Sequence, residues 1–287
     1  MKIVSSLPEI HKLSNDWKKR GLKVALVPTM GCLHDGHLSL MRIARKYADR
    51  VIVSIFVNPM QFGPNEDFDA YPRQFQVDCK LADSEGVNAI FSPDPEQMYG
   101  SGFQTAVIVS VLSKGMCGTD RPGHFDGVAT VVTKLFNLTS PDIAVFGEKD
   151  FQQLAVIRRL IRDLNQQVEI VGAPIVRESD GLAMSSRNKY LEGDWRQKAT
   201  CLYRSILAAK NLVAESHGEM TAAIIVDQTK NIITASGAKL EYAVVVNEST
   251  LENESAVTPH SVLAVAAKFN NRVRLIDNAK LLRDVLS

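Results

Sequence analysis

The chain has 287 residues and carries 33 lysines and arginines against 32 aspartates and glutamates, a net charge of +1. A chain of this length buries a large core and is expected to form two domains. The balanced charge argues against a nucleic-acid-binding protein, which usually has a basic excess. No apolar run approaches the roughly 18 residues of a membrane span, and residues 1–8 lack the apolar stretch of a signal peptide. We therefore predict a cytoplasmic protein with no membrane or nucleic-acid partner.

The four cysteines, Cys32, Cys79, Cys117 and Cys201, lie far apart in the sequence. Their spacing fits neither a redox pair nor a zinc site. In a reducing cytoplasm we expect them to be free thiols.

The N-terminal part alternates helices with apolar strands. Residues 6–9 fit a capping box that begins a helix ending at Gly21. The runs 23–27 and 51–57 are almost wholly apolar, as the strands of a buried parallel sheet are. The helical periodicity of the residues between them predicts a right-handed βαβ unit.

Further elements alternate up to Pro174, where the composition changes. We predict helices over 73–85, after Gly127 and over 151–164. Strands are predicted over 89–91 and 168–171, with a buried strand over 143–146 and a more exposed strand over 105–111. Beyond Pro174 come a polar loop, two helices, and strands over 240–246, 261–267 and 272–276. The predicted fold is α/β: a doubly wound, Rossmann-like parallel-sheet domain over 1–174 and a smaller α+β lid domain over 175–287. A ligand cleft between two such domains is the usual arrangement.

The turn between the first apolar strand and its helix holds the most informative pattern, with His34 and His37 three residues apart. A helix N-terminus offers unpaired N–H groups and a partial positive charge, which suit a phosphate. Gly31 and Gly36 allow backbone to approach a ligand closely. Two histidines are also compatible with a surface position or a helix cap, and a metal site is disfavoured because no third ligand has convincing spacing.

Other candidate residues follow later strands. Lys149 is either a solvated charge or a cation that reaches triphosphate oxygens. Ser185, Ser186 and Arg187 are either a polar loop or a phosphate-gripping segment. Gln61 and Gln153 are neutral, so they suit hydrogen bonds to a small polar substrate rather than proton transfer.

Several stretches together resemble the pantoate–β-alanine ligase family. They are residues 28–37, 56–62, 71–73, 121–125, 146–153 and 180–188. The resemblance is strongest over 24–190, is loose over 205–260, and includes the tail at 275–278. Residues 34–37 also resemble the motif of the nucleotidylyltransferase superfamily, and residues 184–187 resemble the mobile phosphate-binding loop of class I aminoacyl-tRNA synthetases.

The resemblance implies ATP-dependent condensation of (R)-pantoate with β-alanine to pantothenate, AMP and pyrophosphate, through a pantoyl adenylate. It implies Mg²⁺ on the nucleotide and a homodimer formed through the first domain. Asp78 is at best a weak candidate for a protein ligand of that Mg²⁺.

The resemblance also implies the residues of the site. The resemblance assigns the stabilisation of negative charge on the phosphates to His34, His37, Lys149, Ser185, Ser186 and Arg187. His37 occupies the family's proton-donor position. Gln61 and Gln153 are the implied pantoate ligands, and Gln61 also lies near β-alanine. The implied ATP-binding residues are Met30, Gly31, Cys32, Leu33, His34, Asp35, Gly36, His37, Gly147, Glu148, Lys149, Asp150, Val176, Met184, Ser185, Ser186 and Arg187.

Two features of the sequence depart from the pattern of the family. Cys32 occupies a variable place in the turn, where a thiol predicts sensitivity to alkylation. Residues 268–271 differ from the small apolar residues expected before the tail.

Two alternative functions are compatible with the same fold. One is an enzyme that stops at nucleotidyl transfer, against which Gln61, Gln153 and residues 121–125 argue by resemblance. The other is a non-catalytic nucleotide-binding module on the same fold, against which the intact phosphate-contacting segments and Lys149 argue.

Overall fold

The computed structural model describes residues 1–64, 66, 68–216 and 220–282. The chain forms two compact units. The first comprises Met1–Glu148 and Val156–Pro174, and the second comprises Lys149–Ala155 and Ile175–Ser287. The short segment that begins at Lys149 therefore belongs with the C-terminal part of the chain.

The first unit is built on a six-stranded sheet in which every pairing is parallel. Its strands are β1 (Lys2–Val4), β2 (Val24–Thr29), β3 (Arg50–Ile55), β4 (Ala89–Phe91), β5 (Ile143–Gly147) and β6 (Glu169–Ala173). Their spatial order is β1-β4-β3-β2-β5-β6. From β2 the chain builds outward through β3 and β4 on one side, and it returns to the other side with β5 and β6. The order therefore reverses between β2 and β5, and such a switch point is where open α/β sheets bind ligands.

Helices connect these strands: α1 (Leu7–Lys19), α2 (Asp35–Tyr47), α3 (Phe75–Ser84), α4 (Pro95–Met98), α5 (Met116–Asp120), α6 (His124–Thr139) and α7 (Phe151–Asp163). The central strands are buried along nearly their whole length because helices cover both faces of a parallel sheet. The predicted Rossmann-like class is confirmed. The predicted helices are present, as are the strands predicted over 23–27, 51–57, 89–91, 143–146 and 168–171, with ends that differ by a few residues. The last of these strands, β6, is only partly buried.

In the first unit one strand was missed and one predicted strand was wrong. The short strand β1 was not predicted, because three residues are too few to show a periodicity. Residues 105–111 alternate in sequence but form irregular chain that ends in a turn. The backbone N–H of Val107 donates to the Thr130 hydroxyl at 2.9 Å, so a side chain takes the place of a neighbouring strand there.

The second unit contains an antiparallel sheet in the order β7-β8-β9, formed by β7 (Lys239–Asn247), β8 (Ser261–Phe269) and β9 (Val273–Lys280). Helices α8 (Trp195–Lys198), α9 (Cys201–Glu215) and α10 (Ala222–Ala235) precede it. Buried aliphatic residues of α9, α10 and β8 form one apolar core. Phe269, within the divergent stretch 268–271, is fully buried in that core, and Asn270 and Asn271 take left-handed conformations in the β8–β9 turn. This departure from the expected small residues is therefore accommodated as a tight hairpin.

Candidate active site

The turn after β2 is held in place by Asp78 of α3, which is 1% exposed. One carboxylate oxygen accepts the backbone N–H of Cys32 at 2.9 Å, and the other accepts that of Leu33 at 2.8 Å. Both oxygens are thus engaged by the backbone of the turn. Asp78, considered in the sequence as a ligand for Mg²⁺, is instead a structural anchor of the turn.

Gly31 allows the turn to lie against this carboxylate. Its φ is +81°, and a Cβ placed there would lie 2.9 Å from Asp78 Oδ2 and 3.1 Å from Ile55 Cγ2. Cys32 follows with φ of +52° and is 1% exposed. Because its thiol is buried, the sequence-based expectation of ready alkylation is replaced by one of slow reaction with bulky reagents.

His34 is the residue that precedes α2, and His37 lies in the first turn of that helix. Their rings are in contact, with centroids 4.1 Å apart and planes tilted by 42°, and His37 Nδ1 accepts the backbone N–H of His34 at 3.4 Å. An accepting Nδ1 places the proton of a neutral imidazole on Nε2. His37 can therefore donate from Nε2 to an anion at the helix N-terminus, where the helix dipole also favours negative charge.

A second group of polar residues surrounds the 3₁₀ turn Pro59–Gln61, which follows β3. Burial raises the pKa of the Tyr99 hydroxyl, so it stays a neutral phenol and donates to Asn58 Oδ1 at 2.8 Å. Asn58 Nδ2 then faces Gln61 Oε1 at 3.1 Å and the Gly127 carbonyl at 3.0 Å. With its oxygen occupied, the Gln61 amide presents its Nε2 donor.

Gln61 Nε2 lies 3.0 Å from the sulfur of Met30, the first residue after β2. A thioether is only a weak acceptor, so this N–H can turn to a stronger acceptor such as a carboxylate or hydroxyl. The structure therefore brings two predicted site residues together, Gln61 and the beginning of the histidine turn.

The backbone carbonyl of Gln61 is also held. Arg121 donates to it at 3.1 Å, and His124 Nδ1 lies 2.8 Å away. A carbonyl only accepts, so His124 carries its proton on Nδ1 and its Nε2 accepts from Arg121 at 3.1 Å. Arg121 makes a two-pronged ion pair with Glu66, at 2.6 and 2.5 Å. Burial alone would raise the pKa of Glu66, but the hydrogen bonds and charge of Arg121 outweigh it and hold the pKa below its usual value.

Gly147 is the last residue of β5, the strand that pairs directly with β2 at the switch point, and Glu148 follows it. Carboxyl ends of adjacent parallel strands meet at one sheet edge, so these residues share the edge of the histidine turn. Gly147 is half-buried, and Glu148 is exposed.

The remaining predicted site residues belong to the second unit. Lys149 is half-buried, its ammonium lies 3.6 Å from Asp150 Oδ2, and its backbone carbonyl accepts from Asn278 at 3.0 Å. Gln153 is half-buried in the first turn of α7. Neither Asn278 nor Asn58 was selected from the sequence, although both lie in stretches that resemble the family.

A small hairpin carries the predicted phosphate-gripping residues. Arg177 pairs with Ala183, and the N–H of Met184 donates to the carbonyl of Val176 at 3.0 Å. Ser185 follows at once, and its hydroxyl accepts the N–H of Arg187 at 3.2 Å, which begins the 3₁₀ turn Ser186–Tyr190. Val176, Met184, Ser185 and Arg187 are therefore brought together by this hairpin, with Ser186 buried beside them.

Two absences bear on the chemistry. Within the described part of the chain, no group of three or more His, Cys, Asp or Glu side chains is arranged to hold a metal ion. Among the helices that the structure describes, none is long and apolar enough to cross a membrane.

These features define a class of protein. A doubly wound sheet with an anion-binding helix N-terminus at its switch point is the framework of α/β enzymes that bind nucleotides. The model of the Pantoate-beta-alanine ligase family matches residues 2–280. The chain belongs to the pantoate–β-alanine ligase family and is an enzyme, a ligase of that family.

Relatives and solved structures agree with this assignment. The pantothenate synthetase of Desulfotalea psychrophila is 51% identical over 285 residues, which cover 98% of this chain and 100% of the relative. That of Geobacter sulfurreducens is 50% identical, with 98% and 99% covered. The crystal structure of pantothenate synthetase from Thermus thermophilus is similar with a TM-score of 0.91 at 43% identity, covering 99% of this chain and 100% of that one. The crystal structure of pantoate-beta-alanine ligase from Francisella tularensis, complexed with beta-gamma ATP and beta-alanine, has a TM-score of 0.82 at 34% identity and covers 99% of each chain.

Proposed function

We propose that this chain condenses (R)-pantoate with β-alanine at the expense of ATP, through an enzyme-bound pantoyl adenylate. One observation within the first unit carries the proposal: the donor amide of Gln61 lies at the beginning of the histidine turn, 3.0 Å from Met30. Gln61 therefore lies at the turn that leads into the N-terminus of α2, and we propose that it holds a carboxylate beside a phosphate bound there. That adjacency is what a carboxylate needs to attack an α-phosphate.

In the first half-reaction a pantoate carboxylate oxygen attacks the α-phosphorus of ATP. The bond from that phosphorus to the bridging oxygen breaks, and pyrophosphate leaves with the electron pair. Charge spreads over the phosphate oxygens in the transition state, so fixed donors accelerate the step. His34 and His37 take this role in the first unit. The turn Met30–Leu33, the N–H groups of Asp35 and Gly36, and Gly147 and Glu148 line the nucleotide.

In the second half-reaction the amine of β-alanine attacks the acyl carbon of the adenylate. An amide bond forms, the bond from the carbonyl carbon to the AMP oxygen breaks, and the amine loses a proton. Gln61 orients the carbonyl for this attack, and Gln153 is a further ligand of the pantoyl group. The bound nucleotide and β-alanine of the Francisella tularensis relative support this pair of substrates.

Lys149, Asp150, Val176, Met184, Ser185, Ser186 and Arg187 are the proposed nucleotide ligands of the second unit. Lys149 and Arg187 supply positive charge, and the two serines supply hydroxyl donors to the triphosphate. We propose that residues 1–174 and 175–287 act as two domains, with the segment at Lys149 held by the second.

Mg²⁺ enters with the substrate, as MgATP. Asp78 does not fit as a ligand, since both of its oxygens accept backbone N–H groups. The phosphates themselves supply the oxygen ligands that Mg²⁺ prefers. We further propose a cytoplasmic homodimer, and the exposure of Ile108 at 63% and Val111 at 71% in the irregular segment 105–111 supports a covered surface there.

An assay that omits each substrate in turn tests the function. We expect pantothenate only with ATP, pantoate and β-alanine together, and pyrophosphate release with ATP and pantoate alone. Pyrophosphate release without amide product, with β-alanine present, would support nucleotidyl transfer only. Nucleotide binding without release of pyrophosphate would identify a non-catalytic module.

A further inference from the structure

The tail residues Asp277 and Asn278 lie side by side on β9 and are both buried, at 2% and 7% exposure. The reaction outlined above assigns them no contact with substrate. Because successive residues of a strand point to opposite faces, a pair of polar side chains here can hold two different segments of chain.

Asp277 holds the hairpin that precedes Ser185. Arg177 donates to both of its oxygens, at 2.6 and 2.9 Å, and Arg177 also donates to the Gly181 carbonyl at 3.0 Å and stacks on Tyr203. Burial raises the pKa of Asp277, and the fork of Arg177 opposes that shift most strongly. The backbone N–H of Asn278 adds a further hydrogen bond to Asp277 at 2.8 Å.

Asn278 holds Lys149. Its Nδ2 donates to the Lys149 carbonyl at 3.0 Å, in the single 3₁₀ turn Glu148–Asp150. A fixed carbonyl fixes the peptide plane and hence the direction in which the Lys149 side chain leaves the backbone. A displacement of about 1 Å at a phosphate ligand is enough to slow a reaction about 100-fold.

We propose that Asn278, aligned by Asp277, is a positioning residue for Lys149 in the formation of the adenylate. This inference rests on the proposed role of Lys149 at the triphosphate. Since pyrophosphate has left before β-alanine attacks, loss of the Asn278 amide slows the first half-reaction and spares the second.

The test measures the half-reactions separately in Asn278→Ala. Pyrophosphate release from ATP and pantoate in a single turnover reports the first, and β-alanine added to preformed enzyme–adenylate reports the second. We expect at least a tenfold slower first half-reaction, an unchanged second one, and unchanged pantoate affinity. Asn278→Asp, which keeps the shape but turns an acceptor toward the Lys149 carbonyl, is expected to be at least as slow.

Lys280→Ala is the matched control. Lys280 lies on β9, as Asn278 does, and its ion pair with Glu248 at 2.9 Å is lost in this variant. Both half-reactions should be unchanged. A first half-reaction within twofold of wild type in folded Asn278→Ala would overturn the proposal. An equal loss in both half-reactions, together with a lowered melting temperature, would show a merely structural role and overturn it too. Lys149→Ala distinguishes a failure of the Asn278 proposal from a failure of the proposed function of Lys149. If this variant forms adenylate at the wild-type rate, the assigned role of Lys149 itself is wrong.

Discussion

At the scale of single residues, the site depends on side chains that fix hydrogen-bonding direction. Tyr99 orients Asn58, Asn58 orients Gln61, and Gln61 is left with its amide donor directed at Met30. A buried amide that lacked such partners could turn over and present oxygen where a donor is needed. The direction of these hydrogen bonds follows from groups with fixed roles: the neutral Tyr99 phenol and the Met60 N–H donate to Asn58 Oδ1, and the Gly127 carbonyl accepts from Asn58 Nδ2.

Asp78→Asn is expected to slow adenylate formation by at least about tenfold, equivalent to ~1.4 kcal/mol of barrier. The amide keeps one acceptor but turns an NH₂ group toward a backbone N–H of Cys32 or Leu33. Leaving that buried donor without an acceptor costs about 1–3 kcal/mol of unfolding free energy as well. Pyrophosphate release and chemical unfolding measure the two effects. Asp83→Asn, an exposed position on the same helix, is the control, and a wild-type rate in Asp78→Asn would contradict the anchoring role.

The Glu66–Arg121 pair gives a pH dependence with a definite sign. The pKa of Glu66 is lowered in the folded chain, so the pair stabilises the fold fully above the usual carboxyl pKa of 4.5. This stabilisation is lost as the pH falls from 4.5 through the lowered folded-state pKa. We expect Glu66→Gln to be less stable than wild type at about pH 7 and to converge with it in acid. Unfolding curves at a series of pH values measure this, and a difference that stays constant down to about pH 2 would refute it.

At the scale of elements, the close approach of α6 to the turn Pro59–Gln61 sets the position of Gln61. A Cβ on Gly127 would lie 2.3 Å from the carbonyl oxygen of Met60 and 2.6 Å from the N atom of Gln61. Such distances involve backbone, which cannot swing aside as a long side chain does. The helix and the turn therefore fit together only with glycine at this position.

Gly127→Ala distinguishes packing from helix propensity. Propensity alone predicts a gain of about 1 kcal/mol in a helix interior, whereas the clash predicts a loss of about 1–3 kcal/mol. We expect the clash to prevail, with a raised KM for pantoate because Gln61 is displaced. Gly102→Ala, where a Cβ would meet nothing within 4 Å, serves as the control. A more stable variant with unchanged KM would show that the contact is relieved without consequence.

At the scale of the whole molecule, the open question is how copies of the chain associate. Ile108 and Val111 are exposed large apolar residues within one irregular segment of the first unit. Exposed apolar surface is a common mark of association between proteins. A homodimer through the first unit would cover it.

Sedimentation equilibrium is expected to give about twice the 31.6 kDa of the chain. Ile108→Lys should shift the mass toward one chain, because it places a charge in the covered surface. Ile224→Lys, on α10 in the second unit and also exposed, should have no such effect. A single-chain mass for the wild type at micromolar concentration would contradict the homodimer.

The sequence by itself determined the parallel sheet, the histidine turn and the family. Apolar runs such as Val24–Val27 are legible because burial on both faces leaves a continuous pattern, and a strand followed by a helix dictates which residues lie at the helix N-terminus. The stretches that resemble the family supplied the reaction and the residues proposed for it. Local pattern and local geometry agree in these segments, so no distant contact was needed to interpret them.

Only the tertiary structure decided the roles of residues whose partners are far away in sequence. In the sequence Asp78 was at best a weak candidate for a metal ligand, whereas in the structure both of its oxygens accept N–H groups of a turn 45 and 46 residues away. Residues 105–111 looked like a strand, but pairing requires a neighbour that the fold does not provide. Asn278 reaches Lys149 across 129 residues. A polar side chain takes its function from the group it faces, and that group is fixed by packing rather than by the sequence around it.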